Sequence, residues 1–129
     1  MSVNYLMDLN KYRSAPELDL SQIKNLLVEI EDKKEFIKKI ADLTGNLTNK
    51  SLNYVMVRLD DSLDMYFSDS HAPCCYLEIK SIGSINPSKM ASKFSEFITK
   101  EIEIPSNRIY INFEDVSASN WAFDGKTFG

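Results

Sequence analysis

A chain of 129 residues has room for one hydrophobic core and not two. With 43% hydrophobic and 26% charged residues it has the balance of a globular domain rather than a disordered one, and no apolar run reaches the ~20 residues that a membrane span needs. Against 19 Asp and Glu, its 15 Lys and Arg leave a net charge of -4 and no basic footprint for nucleic acid.

In the first ten residues Val3, Tyr5, Met7 and Leu9 alternate with Asn4 and Asp8, which predicts a strand, broken by Ala15-Pro16-Glu17. Ile23, Leu26, Leu27, Ile30, Ile37, Ile40 and Ala41 then recur at three- and four-residue spacings, the stripe of a long helix. The charges of Glu31 to Glu35 interrupt that stripe, so the helix is expected to bend, break or project from the core there. Gly45 is the expected C-cap, and Asn46 to Ser51 a polar loop. Asn53 to Leu59 reads as a strand, with Val55, Val57 and Leu59 alternating against Tyr54, Met56 and Arg58. Met65 to Phe67 is a short apolar piece, and Cys74 to Ile82 a further strand closed by Gly83. Asn86-Pro87 opens a helix, a capping side chain followed by proline at the first helical position. Met90, Phe94, Phe97, Ile98 and Ile102 form its stripe, and Pro105 stops it. Arg108 to Phe113 is a strand, and Trp121 to Gly125 ends in the Asp-Gly signal of a tight hairpin.

The order strand–helix–strand therefore occurs twice, and Tyr54 to Asp61 resembles Ile109 to Asp115 in running from alternating apolar residues to a pair of acids. A duplicated βαβ unit predicts a single α+β domain over residues 1–129, a four-stranded sheet with two helices on one face. The other sheet face is then bare, and self-association is the simplest way to cover it.

Cys74 and Cys75, the only cysteines, are adjacent and cannot staple distant segments; burial beside the core is their expected role. His71 is the only histidine and has no ligand set around it, so no metal is expected. No Walker-type loop or GxGxxG is present. The segment Met1 to Tyr5 lacks the basic and apolar regions of a secretory signal, which predicts a cytoplasmic protein.

Ser81-Ile82-Gly83, Asn107 to Asp115 and Asn120 to Gly129, with Pro73-Cys74 ahead of the third strand, closely resemble the macrophage migration inhibitory factor (MIF) family of the tautomerase superfamily. The resemblance runs from about Lys50 to the C-terminus and looks most like the microbial and cyanobacterial branch. It implies a homotrimer, with no cofactor, whose sites lie at the subunit interfaces and enolise keto acids such as phenylpyruvate. No nucleic acid or membrane partner is expected. Carried over by position, Lys50, four residues before Tyr54, attracts the substrate carboxylate. Ile82 offers its backbone N–H, Tyr110 and Asn112 line the pocket, and Phe123 stands where many members have a hairpin tryptophan. The family's second redox cysteine is replaced by Leu77. Its catalytic base is an N-terminal proline, and Ser2 occupies that position here. Removal of Met1 would give Ser2 a primary α-amine of ordinary pKa about 7.7–8.0, a weaker base for this task. The resemblance thus implies a tautomerase whose turnover is weak or lost. The alternative is a non-catalytic trimer that keeps the pocket for binding or interaction.

Overall fold

The computed structural model describes residues 2–7 and 32–129. Strand β1 spans Ser2–Met7, helix α1 Lys33–Thr48, β2 Met56–Asp60, β3 Cys75–Ser81, helix α2 Pro87–Ile102 and β4 Ile109–Asp115. The hairpin strands β5 (Ala122–Phe123) and β6 (Lys126–Thr127) follow. The sheet order is β2-β1-β3-β4. β1 runs parallel to β2, β3 parallel to β4, and the central pair β1 and β3 is antiparallel. This is the arrangement that two βαβ units make when joined through their first strands. Leu9, the break at Ala15 to Glu17 and the stripe from Ile23 to Ile30 lie outside the described residues.

One side of the sheet carries the core. Cys75, Leu77 and Ile79 of β3 are buried against Phe36 and Ile40 of α1 and Met90, Phe94, Ile98 and Ile102 of α2, so both helices lie on the same face. Phe94 and Ile98 are fully buried, each worth roughly 1.5–3 kcal/mol relative to an exposed side chain. The alternation in β2 follows the predicted phase, Val57 and Leu59 toward the core and Met56 and Arg58 away from it.

Among the described residues, the opposite face carries charged and polar side chains together with exposed Met56 and Tyr110. Arg58 pairs with Asp60 at 3.0 Å, and Lys80 with Glu78 at 3.3 Å and Glu114 at 3.6 Å. The Asn112 amide donates to the Tyr76 hydroxyl at 3.3 Å. A group of exposed apolar side chains, Leu52, Tyr54, Met56, Phe123 and Phe128, lies at one end of the sheet, while Leu63, Tyr66 and Tyr110 are exposed elsewhere.

Several expected boundaries shift for identifiable reasons. Helix α1 begins at the charged stretch, where the Asp32 carboxylate accepts from the Glu35 N–H at 3.3 Å and caps the first turn. Gly45 is not its C-cap. The helix runs through it to Thr48, and Asn49 takes the left-handed position at φ 55°, a conformation asparagine tolerates well. Gly45 serves close approach instead: a Cβ there would meet the Lys50 carbonyl oxygen at 3.1 Å. Pro87 opens α2 as expected, but the Asn86 side chain makes no cap. It accepts from the Ser88 hydroxyl at 3.1 Å while its backbone carbonyl takes the Met90 N–H. Residues 52–54 form a single 3-10 turn, so β2 starts at Met56 rather than Asn53. Met65 to Phe67 forms no strand.

Candidate functional site

Strand register collects the first group of side chains. Ser2 of β1 stands opposite Met56 of β2 on one side and Lys80 of β3 on the other, and Lys80 stands opposite Glu114 of β4. The row Met56, Ser2, Lys80, Glu114 crosses the sheet at the start of β1, over about 14 Å at ~4.8 Å per strand. The β5–β6 hairpin rises beside it. Asp124 at φ 52° and Gly125 at φ 78° supply the two left-handed residues that a tight turn requires, and the Phe128 N–H donates to the Trp121 carbonyl at 2.9 Å. The hairpin thereby sets Phe123 and Phe128 edge-on against the Tyr54 ring, at centroid distances of 5.6 and 6.1 Å.

Between row and hairpin lies a cavity of about 550 Å³ walled by Tyr54, Met56, Val116, Trp121, Phe123 and Phe128. Among the described residues, its charged lining is Lys80 and Glu114. The hydrogen bond from Lys80 to Glu78, reinforced by the charges of Glu114 and Glu78, holds the lysine above its ordinary pKa and keeps it an ammonium. An aromatic-lined cavity that also carries a lysine and a glutamate suits a small ligand with an apolar body and a polar head.

A second group assembles at the neck of α1. The Lys50 ammonium donates to the Ile82 carbonyl at 3.1 Å. Lys50 is carried there by the helix end, since its own N–H donates to the Gly45 carbonyl at 3.0 Å. The opposite side is a turn stiffened by Gly83 at φ 68°, whose N–H donates to Asp115 at 2.9 Å and whose carbonyl accepts from the Ser81 hydroxyl at 2.7 Å. Lys50 also lines a polar cleft with Asp42, Asn46, Asn49 and Ser51, distinct from the aromatic cavity.

Of the residues singled out in the sequence, Lys50 and Ile82 are thus brought together, and Phe123 lines the aromatic cavity at the level of Ser2. Asn112 and Tyr110 lie further down β4, about 7 and 13 Å along the strand from Glu114, and neither lines the cavity of its own chain. Tyr110 packs edge-to-face on Phe67 at 4.7 Å. Below them Arg108 gathers the carbonyls of Phe67, Ser70, Ala72 and Pro73, its guanidinium 5.3 Å from the Phe67 ring centre. His71 stands edge-on to Tyr66, away from both groups. Cys74 and Cys75 are both buried, and burial, followed by the neighbouring Cys74, pushes the Cys75 thiol up to about 12.

Sequence reasoning passed over Lys80, Glu114 and Arg108. The alternation of β3 places Lys80 on the same face as Glu78, and the pair precedes the Ser81-Ile82-Gly83 turn directly. That spacing was the available signal for Lys80; Glu114 joins it only through the parallel β3–β4 register.

Among the described residues, no group of three His, Cys, Asp or Glu side chains could hold a metal ion, and no helix is long and apolar enough to cross a membrane. Residues 22–129 match the family model for macrophage migration inhibitory factor. A MIF homologue of Brugia malayi is 36% identical over 97 residues, covering 73% of this chain and 84% of that protein. The Xenopus tropicalis protein is 34% identical over 95 residues, covering 71% and 83%. Among solved structures, a MIF homologue from Prochlorococcus marinus superposes with a TM-score of 0.78 at 29% identity over the whole of both chains. The Trichinella spiralis MIF, at 21% identity, gives 0.77 over 99% of this chain and 100% of its own, a likeness of fold. The chain therefore belongs to the macrophage migration inhibitory factor family and has the tautomerase-superfamily fold.

Proposed function

We propose that the chain acts as a homotrimer whose interface pockets bind an aromatic α-keto acid of the phenylpyruvate type and interconvert its keto and enol forms. The observation that carries this reading is the aromatic cavity at the row of Ser2, the place where the family resemblance puts the catalytic amine. In this reading the keto acid's ring lies against Phe123 and the Tyr54–Phe128 wall. Lys50, which lines the cleft at the neck of α1 rather than the cavity itself, is the cation that the family resemblance assigns to the carboxylate, and the Ile82 backbone N–H the donor. Tyr110 and Asn112 enter from a neighbouring protomer, which accounts for their distance from the cavity of their own chain. The family resemblance makes the Ser2 amine, once Met1 is removed, one candidate for the group that takes the proton beside the carbonyl.

Light scattering is expected to give the mass of three chains. Phenylpyruvate should exchange the hydrogens beside its carbonyl with deuterated water at a protein-dependent rate. Replacing Lys50 with Ala removes a charge-assisted hydrogen bond to the carboxylate and should raise KM roughly tenfold or more, with a smaller change in kcat. A monomer without exchange overturns the reading. Saturable phenylpyruvate binding without exchange overturns its catalytic part and leaves a binding protein.

A further inference from the structure

We propose that Glu114 and Lys80 form a proton-transfer pair in the aromatic cavity, a base and an acid for enolisation that do not depend on how the N-terminus is processed. The proposal rests on the keto-acid reading above. Both side chains line the cavity, they stand opposite each other in the β3–β4 register, and the Lys80 ammonium lies 3.6 Å from the Glu114 carboxylate. Glu78, two residues before Lys80 on the same strand face, holds the ammonium from the other side at 3.3 Å. Glu114 belongs to the edge strand of the sheet, and half of its side chain is open to the chamber and solvent. The base is thus accessible, while the acid is anchored at two points.

The chemistry balances within the pair. With an α-keto acid in the cavity, the Glu114 carboxylate takes a proton from the carbon next to the carbonyl. The electrons of that C–H bond form the carbon–carbon double bond, and the carbonyl π pair moves onto oxygen. The Lys80 ammonium gives that oxygen a proton. The Glu114 carboxyl then returns its proton to the Lys80 amine, so both groups end as they began and nothing is consumed. Carboxylates serve as the base in enzymes that abstract protons beside carbonyls, so the assignment asks nothing unusual of a glutamate.

Phenylpyruvate exchange as a function of pH, measured on the full chain with Met1 retained and with Met1 removed, tests the pair. Glu114→Gln is expected to lower kcat at least ~100-fold in both forms, since general acid–base catalysis contributes about 10²–10⁴. Glu114→Asp should keep part of the rate, and Lys80→Met should lower kcat more than it raises KM. Carboxylates titrate near 4 and α-amines near 8, so the acid limb of kcat/KM separates the two kinds of base. Among the described residues, the titratable groups around Glu114 are Lys80 and Glu78 of β3 and, on the opposite wall, Tyr54; the hairpin residues that line the cavity, Trp121, Ala122, Phe123 and Phe128, do not titrate. A limb in the carboxylate range that disappears in folded Glu114→Gln supports the pair. Wild-type turnover with an amine-range limb, or turnover that survives Glu114→Gln, overturns the pair while the keto-acid reading stands. No exchange in wild type overturns the pair and the catalytic part of the keto-acid reading together.

Discussion

Replacing Arg108 with Met keeps the length of the side chain and removes a clamp on the segment between β2 and β3. Arg108 donates to the carbonyls of Ala72 at 2.8 Å, Pro73 at 2.9 Å and Phe67 at 3.0 Å; the fourth contact, to Ser70 at 3.4 Å, is too long to add much. At a net ~1 kcal/mol each, the three good bonds amount to about 3 kcal/mol. The guanidinium near the Phe67 ring adds roughly 0.5–1 kcal/mol. Against this, ordering the arginine side chain costs up to ~2 kcal/mol, which the variant recovers. The expected loss is therefore about 2 kcal/mol. With a urea slope of ~2 kcal/mol/M the unfolding midpoint should fall by about 1 M at unchanged slope. Arg108→Lys, a point charge without the planar fork, should lie between wild type and Met. Proteolysis within residues 61–73 should accelerate in the same order. A midpoint within about 0.2 M of wild type would refute the clamp, and so would equal midpoints for Lys and Arg.

Ile40 is fully buried where α1 meets the sheet, and Ile40→Ala should cost about 2–5 kcal/mol by lost transfer energy and the cavity left behind. Calorimetry should show the melting temperature lowered by at least ~5 °C; an unchanged temperature would mean that α1 does not close the core. The Cys75 thiol, pushed up to about 12 by burial, should resist iodoacetamide at pH 8 in the native protein and react on unfolding. The sign with pH follows from the same shift. Below about 8.5, the ordinary thiol value, both states are protonated and the contribution to stability is complete. Between there and about 12 the unfolded chain ionises while the folded one does not, so stability falls as pH rises. Denaturation midpoints should decline less steeply over that window in Cys75→Ala, and parallel slopes would refute the assignment.

Elements whose signal is local are those the sequence reveals best. The phase of β2, Pro87 at the start of α2 and the Asp124-Gly125 turn each depend on a few neighbouring residues, and each stands where the pattern places it. Errors arise where a local preference meets a tertiary demand. Gly45 has the residue type of a cap but sits inside α1, where the returning Lys50 carbonyl oxygen would lie a tight 3.1 Å from a Cβ. Asn86 has the residue type of a side-chain cap, yet its amide oxygen takes the Ser88 hydroxyl and only its backbone serves the helix. Arg108 looks like a strand-initiating cation; its four carbonyl partners lie 35 to 41 residues earlier and leave no periodicity to detect.

The candidate site is harder to read from sequence because a sheet assembles it at right angles to the chain. Met56, Lys80 and Glu114 share one row only after three register choices, and a one-residue slip in any of them would turn that strand's side chains to the other face. What a linear pattern can supply is the alternation within each strand, and that already separates Leu77 and Ile79 from Glu78 and Lys80. The family resemblance points to Lys50, Ile82 and Phe123 because those positions are fixed by a loop, a turn and a hairpin with recognisable local sequence. Lys80 and Glu114 belong to no such motif. They reach the cavity because β3 and β4 are parallel and in step, so a lysine before the Ser81-Ile82-Gly83 turn meets a glutamate just before the end of β4. A mutation that shifted the β4 register by one residue would keep every side chain in the chain and still take the carboxylate away from the cavity. Chemistry at this end of the sheet is therefore a property of strand pairing first and of residue identity second.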